Sequence, residues 1–197
     1  PTVENAVLSM RALMEASPAE LAAGLQPLIA GYSTWLNDQA TKNDTLPEWL
    51  QEQGRIGLED GAVALARLQA GLDLLVSNEQ AQRAFWFMNR TMRDQRLRSQ
   101  VAALRIEQKE LSIADAVAAV DARGEKAASW RAFQLAFILM QLPAVVDPTH
   151  VRRSTDFARA ELLFFPTGGG KTEAYLGLAA FTFGIRRLQG KVETPEG

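Results

Sequence analysis

The 197-residue sequence contains no cysteine, which excludes disulfides, thiolate metal sites and cysteine nucleophiles. Its one histidine is His150. Asp147 lies nearby, but no second strong ligand stands at workable spacing, so no metal centre is expected there. Charge of one sign is lacking as well: 21 Lys and Arg face 23 Asp and Glu, leaving a formal charge of −2 and a pI near 5.6. No chain-wide basic field favours nucleic acid, and any such contact must come from a local patch. The longest apolar run, residues 135–146, is cut by Gln141 and Pro143 and falls short of the roughly 20 residues a membrane helix needs. A basic segment followed by an apolar one, as in a secretory leader, is also missing. These absences point away from a membrane and towards a cytoplasmic setting.

What is present is ordinary for a folded domain, with 47% apolar and 22% charged residues. Residues 1–125 read as successive helices without a repeat or low-complexity tract. Val7, Leu8, Ala12 and Leu13 suggest a first helix over residues 5–16. Ser17, Pro18 and Glu20 form an N-cap, a first-turn proline and a capping-box acid, followed by the stripe Leu21, Leu25, Leu28, Ile29 and Tyr32. Pro27 inside that stripe is expected to kink or interrupt it. A short turn at Pro47, Glu48, Trp49 and Leu50 should close at Gly54. A second stripe should then begin near Leu58 and run through Leu65, Leu68, Leu72 and Leu75.

Ser77 and Gln80 have capping-box spacing and should open the longest helix, which carries Ala84, Phe87, Met88 and Met92 as core residues. The same helix holds Arg83, Arg90 and Arg93 roughly on one face, a conceivable phosphate patch. They equally suit a solvated face paired with acids such as Glu79 and Glu107. Residues 112–124 read as an alanine-rich helix from Ser112 to a stop at Gly124. Trp130, Arg131, Phe133 and Gln134 open a helix apolar on nearly all sides, and residues 142–153 read as a loop.

The stretch that organises the rest is residues 160–188. Leu162, Leu163, Phe164 and Phe165 are an apolar run suited to a strand buried on both faces. Pro166 ends it. Thr167, Gly168, Gly169 and Gly170 then form a loop whose backbone N–H groups can close around a phosphate. Lys171 adds a cation and Thr172 a hydroxyl. Ala174, Leu178, Phe181, Ile185 and Leu188 recur at helical spacing beyond them, which sets the loop at a helix N-terminus. With Leu176, Ala180 and Phe183, that helix is apolar around most of its circumference and must be covered on several sides.

Strand, glycine loop, Lys-Thr and helix together make the P-loop pattern, in which the lysine reaches the β- and γ-phosphates and the threonine holds Mg²⁺. The full pattern asks for a glycine where this sequence has Phe165. The form PTGGGKT at residues 166–172 resembles the loop of helicase superfamily 2 ATPases. Arg131 and Gln134 resemble the adenine-recognising element that many members of that superfamily carry before the loop, since a glutamine amide offers both a donor and an acceptor to the base edge.

The longer strings AFWFMNRTM (residues 84–92), WRAFQLAFIL (130–139), DPTH (147–150) and LLFFPTGGGKTEAYLGLAAFTFGIRRL (162–188) are similar to the large helicase subunit of the bacterial DISARM anti-phage system. The resemblance implies that Thr167, Gly168, Gly169, Gly170, Lys171 and Thr172 bind ATP, with Mg²⁺ on Thr172 and Gln134 on the base. It also implies DNA and a second defence-system subunit as partners. The expected fold is mainly α: a helical domain at 1–125, leading at 126–197 into the first strand and helix of a RecA-like P-loop α/β domain. No Asp-Glu-x-x string occurs, so the acid that completes the metal site is expected elsewhere in a longer polypeptide. Residues 1–197 alone are then expected not to turn ATP over. Two alternatives remain: another P-loop NTPase or kinase, and a non-enzymatic docking module with a remnant loop.

Overall fold

A computed structural model describes residues 3–153, 156, 161 and 170–191. Among these, regular structure is helical throughout, with α1 at Met10–Leu13, α2 at Pro18–Asn43, α3 at Glu48–Ser77, α4 at Glu79–Glu107, α5 at Ile113–Asp121, α6 at Ala132–Val146 and α7 at Lys171–Gln189. Short 3₁₀ turns occupy Gly124–Ala127 and Val151–Arg153. The mainly helical expectation holds. The strand expected at 162–165 lies outside the described residues.

One core joins most of these helices: Leu21, Leu25 and Leu28 of α2, Leu72 and Leu75 of α3, Phe85 and Met88 of α4, Leu135 and Ile138 of α6, and Phe181 and Ile185 of α7. Large side chains closed off from water contribute about 1.5 to 3 kcal/mol each, so this shared cluster is what holds the layers together. The main packing pairs are α2 with α3, α3 with α6, and α7 with both α4 and α6.

Several local expectations are corrected by tertiary context. The helix expected over residues 5–16 shrinks to α1, because the preceding backbone is engaged elsewhere. Val7 N–H donates to Gly24 O (2.8 Å), Trp130 N–H donates to Leu8 O (2.8 Å), and Met10 N–H donates to Ala128 O (3.0 Å). An isolated antiparallel bridge joins Ser9 to Ser129. Groups bonded across the fold in this way cannot also serve a helix ladder.

Pro27 does not interrupt α2, which runs unbroken from Pro18 to Asn43 behind the expected Ser17–Glu20 capping box. Buried Leu21, Leu25, Leu28 and Ile29 lie on both sides of it, and their burial outweighs the ~3 kcal/mol an internal proline costs. The turn and stripe expected around Gly54 are one helix, α3. A β-carbon at Gly54 would overlap the Asn43 side chain, whose Nδ2 donates to Gln51 O (3.2 Å). The glycine therefore serves close approach of α2 rather than a break.

Ser77 ends α3, its Oγ donating to Asp73 O (2.7 Å). Asn78 caps α4 instead, accepting from Ala81 N–H (2.9 Å). At 29 residues α4 is slightly shorter than the 30-residue α3. Ser112 caps α5 as expected, through Asp115 N–H (3.1 Å). The loop expected from 142 begins only after Val146, because α6 continues through Pro143 with Leu142 and Val146 buried. Proline at 143 has no N–H for the Leu139 carbonyl, its partner in a helix. Gly71 of α3 packs against that same carbonyl, where a β-carbon would overlap it.

Candidate nucleotide site

Gly170 is the N-cap of α7, at φ 85° and ψ 28°. In this left-handed region a residue with a β-carbon is strained, so the last loop glycine meets a conformational demand. Lys171 and Thr172 follow as the first two helical residues, Lys171 half-buried and Thr172 exposed. Their N–H groups are among those an α-helix leaves without intrahelical partners, and the helix dipole adds partial positive charge there. Thr167, Gly168 and Gly169 lie outside the described residues.

The structure brings Gln134 to this loop. Its Nε2 donates to Gly170 O (2.6 Å), and its Oε1 accepts from Arg131 N–H (2.8 Å) at the start of α6. The side chain is 2% exposed. Two residues far apart in sequence therefore meet, and the amide is bonded at both its oxygen and its nitrogen to the chain's own backbone. Glu173 flanks the same corner, with a carboxylate oxygen 3.9 Å from the Arg96 guanidinium of α4.

α7 is fixed along its whole length. Phe137 of α6 meets Tyr175 edge-on, with centroids 5.7 Å apart and planes at 86°. At Gly177 a β-carbon would come within 2.7 Å of the Trp130 ring and 3.1 Å of Ile138. Trp130 is itself held by the buried Asn89, whose Oδ1 accepts from the indole N–H (2.8 Å) while its Nδ2 donates to Phe85 O (2.9 Å). At the far end Arg186 donates to Val145 O (2.7 Å) and Gln189 to Val146 O (2.8 Å), both carbonyls in the last turn of α6. N-terminus meets N-terminus and C-terminus meets C-terminus, so α6 and α7 run parallel.

Sequence reasoning passed over Asn89, Trp130, Arg186 and Gln189 in these roles. The visible signal was an asparagine set among the apolar positions of α4. Phe87, expected in the core, is 49% exposed instead, beside Phe183 at 74%. Both line a groove with Arg83 and Arg187. Leu176 is also exposed, so the outer side of α7 is apolar and open, in keeping with its all-round apolar sequence. Of the other arginines, Arg93 pairs with Asp94 (3.0 Å) and Arg90 approaches Glu15 (3.8 Å), rather than Glu79 or Glu107.

Ahead of the loop, Glu161 is gripped by Arg67 of α3 (2.8 Å) and by Arg152 (2.9 Å). Arg67 also donates to Met140 O (3.2 Å). Partial burial disfavours the Glu161 carboxylate. The hydrogen bonds from Arg67 and Arg152, with their charges, more than offset this and hold its pKa below the ordinary value. His150 sits in the turn after α6, its Nδ1 accepting from Arg152 N–H (3.2 Å). Among the described residues no three His, Cys, Asp or Glu side chains gather as a metal cage, and no helix is long and apolar enough to cross a membrane.

No protein-family model matches the chain. The DISARM protein DrmA of Bacillus paralicheniformis is a homologue. It is 36% identical to this chain over 166 residues, 83% of the chain. The match spans 13% of the length of DrmA. This similarity supports the relation to the DISARM system that the sequence strings suggest, and it covers more of the chain than the P-loop region alone.

Proposed function

We propose that this chain is the nucleotide-binding entry of an ATP-dependent DNA helicase or translocase of superfamily 2, acting in DISARM anti-phage defence. The observation that carries the reading is the junction at Gly170, where a left-handed glycine delivers Lys171 and Thr172 into the first turn of a long, well-anchored helix. Backbone N–H groups of Thr167, Gly168, Gly169 and Gly170 would cradle the phosphates, and Lys171 would neutralise the β- and γ-oxygens. The exposed Thr172 hydroxyl suits Mg²⁺, which when bound supplies positive charge to the same oxygens.

The homology to DrmA supports the defence role, and the relaxed PTGGGKT loop supports superfamily 2 over a small-molecule kinase. Water activation and the charge stabilisation of phosphoryl transfer need groups beyond those found here, so turnover belongs to the full-length protein with DNA and a second defence subunit.

DNA-stimulated ATP hydrolysis by the full-length protein is the test. Lys171→Ala should abolish it while leaving the fold intact by circular dichroism. Hydrolysis that survives this substitution would overturn the reading.

A further inference from the structure

The family resemblance puts Gln134 on the base, yet its geometry describes a different task. A side chain that recognises adenine must offer a donor and an acceptor to the ligand together. Here Oε1 already accepts from Arg131 N–H and Nε2 already donates to Gly170 O, at 2.8 and 2.6 Å. The residue is 2% exposed, which leaves no open edge for a base. A β-carbon on Gly170 would stand 2.7 Å from Nε2, so the amide is packed against the loop as well as bonded to it.

The bond has a directional consequence. A peptide unit is planar, with its C=O and N–H pointing in opposite directions. Fixing the Gly170 carbonyl from the α6 side therefore fixes the N–H of Lys171, one of the groups at the open end of α7. Gln134 reaches that peptide from the start of α6, whose own first turn the same amide caps through Arg131. One side chain thus sets the loop relative to two helices.

We propose that Gln134 is a positioning residue for the triphosphate, orienting the Gly170–Lys171 peptide for phosphate whatever base is attached. This rests on the P-loop reading above and departs from adenine recognition by this residue. Selectivity between ATP and GTP, if the protein has it, must then come from other groups.

The test is equilibrium binding of Mg-ATP, Mg-GTP and Mg-tripolyphosphate, which has no base, to the full-length protein. Gln134→Met keeps the bulk of the side chain and removes both hydrogen bonds. It should weaken all three ligands by one common factor of about tenfold, the scale set by a lost hydrogen bond near a charged ligand. The single common factor separates positioning from base reading, and circular dichroism would show a general loss of structure independently.

Loss of ATP affinity in Gln134→Met with GTP and tripolyphosphate unchanged would overturn the proposal in favour of base reading. Unchanged affinity for all three would overturn it as well. If Lys171→Ala left tripolyphosphate binding at the wild-type level, the P-loop reading itself would fail, a result distinct from the others.

Discussion

Removing the Asn89 amide should loosen α7 without touching it. Asn89 is fully buried, and its Oδ1 is the acceptor for the indole N–H of Trp130, itself 2% exposed. Asn89→Ala strands that N–H away from water, which costs about 1 to 3 kcal/mol. The small void left by the amide adds a cavity term of order 1 kcal/mol. The bond to Phe85 O contributes little to the loss, since that carbonyl also lies within the α4 ladder. A total near 2 to 4 kcal/mol is expected, which for a chain of this size lowers Tm by roughly 4 to 16 °C.

The assay is urea unfolding followed by circular dichroism, run as a double-mutant cycle with Trp130→Phe. Phenylalanine keeps most of the ring and removes the N–H. If the Asn89–Trp130 bond is the source of the cost, the two substitutions should couple by about 1 to 2 kcal/mol, the double variant being more stable than the sum of the singles implies. Additive losses would refute the reasoning and reduce Asn89 to a space-filling residue. Because the Trp130 ring abuts Gly177, Asn89→Ala should also raise amide exchange in the first turns of α7 relative to α2.

Two further outcomes follow from the packing. Gly71→Ala should destabilise the chain by about 1 to 3 kcal/mol, since the new β-carbon overlaps the Leu139 backbone and neither helix can yield freely; Gly57→Ala, with open space around it, should be neutral or slightly stabilising by the same measurement. The depressed pKa of Glu161 means that its contribution is present above the ordinary carboxyl value of 4.5 and is lost as pH falls through the lower folded-state value. Stability measured against pH should show that loss below about pH 4.5 in the wild type and a flatter acid limb in Glu161→Gln; identical acid limbs would show that the Arg67 and Arg152 contacts carry no such linkage.

The helices were legible in the sequence wherever capping chemistry and apolar spacing agreed, as at Ser17–Glu20 and Ser112. Their boundaries failed where a distant backbone group competed. Residues 7–10 bond to Gly24, Ala128 and Trp130, and no local pattern records those partners. Prolines and glycines misled for a related reason. Pro27, Pro143 and Gly54 lie inside helices that burial sustains, and Gly54 is a close-approach site rather than a stop. At the candidate site, the glycine turn at Gly170 and the helix that starts at Lys171 could be read directly, because a glycine loop before an apolar helical stripe is a local pattern with a local physical cause. Family resemblance singled out Gln134 as a base contact, and that its amide meets Gly170 was visible only in three dimensions.

The central claim is that the loop ending in Gly170, Lys171 and Thr172 holds nucleotide phosphate. Calorimetric titration of the full-length protein with Mg-ATP tests it most directly. One equivalent should bind, and Lys171→Ala should abolish the heat while leaving the melting temperature within a degree or two, about the range of a surface substitution. Equal binding by wild type and Lys171→Ala would contradict the account, because the nucleotide would then sit somewhere other than the start of α7.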